Sequence, residues 1–168
     1  MRIGLGFGSN LGDRLANLQR ARARILAVPG VTAPAISAPL FETDPVDCTD
    51  DAGAFLNTVV EIGAPEDADL LGLLAHLRAI ERELGRPSRH PRNASRSIDL
   101  DILYAGSQRL ETPDLTLPHP RLHLRRFVLA PLSVIRPDLV LPGHEQSIGQ
   151  ILRESDDAAS VRPVQLVW

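Results

Sequence analysis

Residues 92–103 join an arginine-bearing loop to an apolar segment that carries Asp99 and Asp101, and these are the residues best suited to chemistry. In an extended strand, side chains two apart share a face, with origins roughly 6.5 Å apart along the chain. Asp99 and Asp101 therefore point one way, and Leu100 and Ile102 point the other way, into a core. Paired carboxylate oxygens suit Mg2+, which keeps most of its waters and completes its shell with phosphate. Arginines at 86, 89, 92 and 96 offer planar forks for phosphate oxygens. An exposed Asp-x-Asp face is the plain alternative, but carboxylates within the apolar run Ile98, Leu100, Ile102, Leu103, Tyr104 call for a metal or a counter-charge.

Other candidates are less specific. His119, held between Pro118 and Pro120, is either a turn residue or a preset contact to an anion. Phe55 and Phe127 are core residues by default, yet two phenyl rings together can sandwich a flat heterocycle. Asn57, two residues from Phe55 and on the same strand face, would offer such a ring a donor and an acceptor. Gly4, Gly6 and Gly8 do not give the spacing of a dinucleotide loop; within a strand they indicate close backbone approach or tight packing. His76, His90, His123 and His144 lack metal-ligand spacing and read as surface or packing residues. Cys48 sits among Asp47, Asp50 and Asp51, where negative charge disfavours a thiolate, so it reads as an incidental loop thiol.

Composition narrows the chemistry further. All 18 basic residues are arginines, so there is no lysine for a Schiff base or a phosphate-binding P-loop. The single cysteine excludes an internal disulfide framework and a cysteine-rich zinc site. Apolar runs such as residues 70–75 are too short to cross a bilayer, and residues 1–7 enter an apolar strand without a secretory h-region. A cytoplasmic protein is expected. A local arginine cluster on a chain of net charge −3 suits a small polyphosphate better than a duplex, so neither nucleic acid nor membrane is expected as a partner.

The elements that must position these residues follow from periodicity. Residues 2–8 read as a buried strand, and Gly8 to Asp13 as the turn leaving it. Helical spacing of Leu15, Leu18, Ala21, Ile25 and Leu26 predicts a helix over about 13–28, ended by Pro29-Gly30. Residues 31–42 read as one proline-interrupted strand at an edge or bulge, 43–52 as a loop and 55–62 as a strand. Leu70, Leu73, Leu74, Leu77, Ile80, Glu81 and Leu84 predict a second helix over about 69–84, stopped by Gly85. The arginine loop is charged and poor in apolar residues, so it should move until a nucleotide orders it. A strand over 97–104 follows, then an extended segment at Pro118-His119-Pro120, a helix over 125–135 broken at Pro131, a short helix near 148–153 and weak strand character over 161–168. No repeat or linker is evident. The expectation is a single domain over 1–168, of mixed α/β (α+β) class: a ferredoxin-like β-α-β-β-α-β sandwich with a mostly antiparallel sheet, helices packed on it and extra C-terminal elements.

In this order the residues resemble the 6-hydroxymethyl-7,8-dihydropterin pyrophosphokinases of folate synthesis. The resemblance rests on Gly8-Ser9-Asn10-Leu11, Thr43-Asp44-Pro45-Val46, Phe55-Leu56-Asn57, the run 92–103, Leu117-Pro118-His119-Pro120 and Arg125-Arg126-Phe127. It implies transfer of the β,γ-pyrophosphoryl group of ATP to the pterin hydroxymethyl group, with release of AMP and two Mg2+ ions on Asp99 and Asp101. It further implies a pterin site at Thr43, Asp44, Val46, Phe55, Asn57 and Phe127, and ATP contacts at Glu81, Arg89, Arg96, Ile102, His119 and Arg125. Arg86 and Arg96 would join the aspartates in catalysis. The expected partners are these two small molecules, with the protein a monomer. Asp44 stands where many members have proline, Asn93 where an aromatic residue is common, Ser95 where proline is common and Phe55 where tyrosine is common. The first three bear on the loops over the pterin; the last keeps the stacking ring. The rival readings are another Mg2+-dependent nucleotidyl or phosphoryl transferase, which would lack pterin binding, and an RNA-binding module, which would want exposed aromatics on a basic sheet face.

Overall fold

The computed structural model describes residues 1–44, 53–85 and 95–168. Strand β1 (Arg2–Ser9) leads into helix α1 (Arg14–Leu26), followed by β2 (Thr32–Ser37), β3 (Leu40–Thr43), β4 (Phe55–Gly63), α2 (Leu70–Glu83) and β5 (Asp99–Ala105). A small hairpin of β6 (Leu110–Glu111) and β7 (Thr116–Leu117) comes next. After it lie a 3-10 turn at Leu122–Leu124, α3 (Arg126–Ile135), α4 (Ile148–Glu154) and β8 (Val161–Val164). No helix among the described residues is long and apolar enough to cross a membrane.

The main sheet runs β5-β1-β4-β3-β8, with β2 also paired to β4, and its pairings are antiparallel. Because β4 is antiparallel to both β1 and β3, those two strands run the same way and α1 is the crossover between them. The mixed α/β class, antiparallel sheet and additional C-terminal elements expected from the sequence are all present. Helices cover both faces. One core joins Ile3, Leu5 and Phe7 of β1 to Leu18 and Ile25 of α1 and Leu77 of α2; the other joins Val59, Leu103 and Tyr104 to Leu129 and Leu132 of α3 and Ile151 of α4.

The helix starts follow from local chemistry. Asp13 and Asp69 each accept from a backbone N–H in the first turn, at 3.0 Å from Ala16 and 2.9 Å from Gly72. This satisfies donors that a bare helix end leaves orphaned. Gly85 follows α2 with φ of +95°, a left-handed conformation that favours glycine.

Two sequence expectations need correction. The strand expected over 31–42 is two strands, because Thr58 Oγ1 donates toward the carbonyls of Ala38 and Pro39 at 3.0 and 3.1 Å and the backbone turns there. The first piece, β2, is irregular, with a register shift against β4 between Thr32 and Ile36, but β3 is covered by β8 and is no edge. Helix α3 also runs through Pro131 instead of breaking. The proline removes one internal hydrogen bond, while Val128, Leu129, Pro131 and Leu132 are buried, so tertiary packing overrides the local preference.

The glycines of β1 follow the expectation of close approach. Gly4, Gly6 and Gly8 share a face, and a Cβ on Gly4 would lie 2.1 Å from the Tyr104 ring, while one on Gly6 would lie 3.3 Å from Leu103. This bare stripe lets β5 side chains lie across β1.

Candidate active site

The site forms where β1, β4 and β5 end together. Gly8 is the register partner of Asn57 on one side and of Asp99 on the other, and Gly6 is the partner of Asp101. Residues directly opposite share a face, so Asp99, Asp101, Asn57 and Phe55 all project from one side of the sheet. A Cβ placed on Gly8 would be 2.9 Å from Asn57 Oδ1 and 3.8 Å from both Asp99 Cβ and a Phe55 ring carbon. The carboxylate half and the ring half of the predicted site therefore meet over this one glycine. As expected, Leu100 and Ile102 turn the other way and are buried, while Asp99 and Asp101 are half-buried.

Asn57 is buried and donates to Thr43 Oγ1 at 2.7 Å, and Thr43 and Phe55 are register partners on β3 and β4. The amide is thus held with a fixed orientation beside the ring. Asp44 is exposed and pairs with Arg162 at 2.9 Å. Arg125 is the N-cap residue of α3, and its guanidinium carbon lies 5.5 Å from the centre of the Phe127 ring. Phe55 and Phe127 do not stack on each other among the described residues.

A cleft of about 530 Å3 opens beside the carboxylates, with Asp99, Asp101, Ile102, Glu81 and His119 in its walls. Glu81 is buried on α2 and accepts from the backbone N–H of Leu100 at 2.9 Å, between the two aspartates. An acid predicted to face the nucleotide therefore also anchors the strand that presents Asp99 and Asp101. Arg96 Nη1 pairs with Asp99 Oδ2 at 2.9 Å.

His119 donates its backbone N–H to Leu103 O at 2.8 Å, and its Nδ1 accepts from the N–H of Arg121 at 3.2 Å. Burial, followed by the charges of Arg125 and Arg121, pulls its pKa down to about 4. The ring is accordingly neutral at pH 7, with its proton on Nε2 as a donor. Burial also lowers the pKa of Arg125, as does Arg121, while Asp101 and Asp99 oppose the shift.

The sequence reading noted Ser9, Asn10 and Ser95 only as motif positions and gave them no part in holding the arginine segment in place. Ser9 Oγ donates to Ser97 O at 2.5 Å, Asn10 Oδ1 accepts from Arg96 N at 2.7 Å, and Asn10 N donates to Arg96 O at 3.1 Å. Ser95 Oγ accepts from Asn10 Nδ2 at 3.2 Å, a contact a proline could not supply. Arg78, Arg82 and residues 112–116 of the cleft wall were unmarked in the sequence. Val46, Arg86, Arg89 and Asn93 lie outside the described residues, as does most of the arginine loop.

A family model described as 7,8-dihydro-6-hydroxymethylpterin-pyrophosphokinase (HPPK) matches residues 4–137. The chain belongs to the HPPK family. Among HPPK relatives, the 2-amino-4-hydroxy-6-hydroxymethyldihydropteridine pyrophosphokinase of Bacillus subtilis is 43% identical over 131 residues, 78% of this chain and 75% of that one. The protein of the same name from Methylorubrum extorquens is 40% identical over 161 residues, covering 94% of this chain and 96% of its own. In fold, the chain resembles a wild-type Plasmodium falciparum HPPK-DHPS crystallised with pteroate, with TM-score 0.69 and 14% identity. That match covers 91% of this chain and 42% of the other, so this chain spans less than half the length of the bifunctional protein. HPPK membership makes the chain an enzyme, an ATP-dependent diphosphokinase of folate biosynthesis.

Proposed function

We propose that the chain transfers the β,γ-pyrophosphoryl group of ATP to the hydroxymethyl oxygen of 6-hydroxymethyl-7,8-dihydropterin and releases AMP. The observation that carries this reading is the meeting, over Gly8, of the Asp99–Asp101 face with the ring and amide of Phe55 and Asn57. A flat heterocycle lying on Phe55 and bonded to Asn57 would place its substituent toward the carboxylates. Phe127 is proposed as the opposing ring, and Thr43 and the backbone at Asp44 and Val46 as further pterin contacts.

The donor set fits Mg2+. Asp99 and Asp101 supply hard oxygens from one half-buried strand face, and no group of three or more histidine, cysteine or acidic side chains suited to a metal occurs among the described residues. Mg2+ needs no such cage, since one or two carboxylates with waters and phosphate complete its shell. Two Mg2+ ions held there would neutralise the phosphates and orient the attacking oxygen.

The protein's own groups then do the positioning. Glu81 fixes the backbone between the aspartates, and Ser9 and Asn10 fix Arg96 at the entrance to β5. Neutral His119 offers Nε2–H to a phosphate oxygen without adding charge. Arg125, and Arg96 turning from Asp99, supply cationic forks, with Arg86 and Arg89 proposed to add theirs from the loop. The hydroxymethyl oxygen attacks the β-phosphorus, the bond to the α,β-bridging oxygen breaks, and the hydroxyl proton leaves to water. Because such transfers are largely loose, alignment and charge stabilisation suffice, and no strong general base is required.

The test is product analysis with purified protein, ATP, Mg2+ and the pterin. AMP should form only when the pterin is present; ADP as product, or AMP release indifferent to the pterin, would overturn the reading. Asp99→Asn and Asp101→Asn should each lower turnover about 10^3-fold, the loss of several kcal/mol of charge stabilisation. Near-normal turnover in both would remove them from the metal role.

A further inference from the structure

We infer that residues 155–164 form a strap that positions both walls of the flat-ring site, with Asp157 as its principal positioning residue. This rests on the function proposed above and goes beyond it, since the strap lies outside residues 4–137 matched by the family model and none of it lines the cleft.

One end of the strap holds α3. This helix has no capping side chain of its own, because its N-cap residue is Arg125. Asp157, 31 positions away in sequence, supplies the cap: its Oδ2 accepts from Arg126 N at 2.7 Å. A carboxylate there satisfies an orphaned donor and complements the positive end of the helix. Asp157 is itself fixed, since Oδ1 accepts from Ala159 N at 2.9 Å and its backbone N–H donates to Ser155 Oγ at 3.3 Å. The turn it caps carries Arg125 and Phe127, so the cap sets the direction in which the Phe127 ring is presented.

The other end holds β3. Strand β8 pairs with β3 in the register Thr43 to Val161 and Glu42 to Arg162, and Arg162 Nη2 reaches Asp44 Oδ1 at 2.9 Å. Thr43 in turn orients Asn57. One short segment is thus bonded to the helix turn behind one proposed ring wall and to the strand behind the polar wall. No residue of the strap lines the cleft beside the carboxylates of β5.

This arrangement weighs more on the pterin than on the nucleotide. Asp157→Ala should raise the pterin Kd and KM about three- to tenfold, the size of a lost helix cap, with the Kd of an ATP analogue raised by a smaller factor, because of the proposed nucleotide contacts only Arg125 sits on the capped turn. Asp157→Asn, which keeps the acceptor, should restore wild-type pterin affinity, and Asp156→Ala, with the same change of charge, should have no effect. Because the cap acts through Phe127, Asp157→Ala in a Phe127→Ala background should cost nothing further. Should Asp157→Ala fail to fold, Arg162→Glu, an exposed change that sets like charges against Asp44, should raise the pterin Kd about threefold and spare the nucleotide. Pterin affinity within twofold of wild type in both strap variants, an equal loss for both substrates, or a full additional loss in the Phe127→Ala background overturns the strap. A wild-type protein that neither binds the pterin nor releases AMP fails the functional reading itself, and the strap falls with it.

Discussion

At the scale of single residues, the site depends as much on an absent side chain as on those present. Gly8→Ala would set a methyl group 2.9 Å from Asn57 Oδ1, closer than real contacts allow, in a buried amide already bonded to Thr43. The expected result is at least a tenfold loss of pterin affinity, read by pterin fluorescence, with nucleotide binding nearly unchanged. His119 makes a different prediction. Its folded pKa of about 4 lies below the ordinary 6.5, so between those values the unfolded chain binds the proton and the native state does not. Its contribution to stability is therefore complete above about pH 6.5 and lost as pH falls toward 4. In metal-free protein, urea titrations of wild type and His119→Gln should show the wild type losing relative stability across that window; parallel curves would contradict the neutral ring. Asp99, Asp101, Phe55 and Asn57 were legible in the sequence because the two-residue period of a strand fixes their common face. Ser9 and Asn10 were not, since a serine and an asparagine after a strand read as turn residues, and their partners lie 85 to 88 positions away. The cap by Asp157 was hidden for the same reason.

At the scale of elements, legibility tracks how local the cause is. The two long helices were visible because their apolar spacing lies within the segments and their stops, Pro29-Gly30 and Gly85, lie just beyond them. The division of 31–42 into β2 and β3 was invisible because it is imposed by Thr58 on another strand. Continuity of α3 through Pro131 was likewise a matter of packing on the sheet and α4, which local propensity does not contain. Helix α4 offers a test of the local kind. Ser147 accepts from Gln150 N while Gln150 Oε1 accepts from Ser147 N, a reciprocal capping box. Ser147→Ala should destabilise the protein by about 1 kcal/mol and lower Tm by about 2–4 °C, with kcat and both KM values unchanged because α4 lines no part of the cleft. A kinetic effect would mean that α4 reaches the site through α3.

At the scale of the molecule, the sheet divides its labour along its length. The Gly8 end carries chemistry, while four residues back, about 13 Å along the strand, Gly4 pairs with Glu61. Glu61 is fully buried and accepts from Tyr104 Oη at 2.6 Å, Arg2 Nε at 2.8 Å and Arg136 Nη1 at 3.2 Å, tying β1, β5 and the end of α3 together. Burial and Glu61 together raise the Tyr104 pKa far above its ordinary value, so the phenol remains a donor. Glu61→Ala should cost about 2–4 kcal/mol, through a cavity and stranded donors, visible as a lower urea midpoint at unchanged slope, while turnover of the folded fraction persists. Across the molecule, the last residue provides a reporter. Trp168 is the sole tryptophan; its Nε1 donates to Ala38 O at 2.9 Å, its ring meets Phe7 edge-on at 6.0 Å, and Arg22 lies 5.4 Å from its centre. Tryptophan emission therefore comes from one place, where residue 168 packs against β1. Peeling of residues 165–168 would shift that emission to the red before the far-ultraviolet signal of the helices changes, so an unmodified sample carries its own gauge of whether this segment is docked on β1.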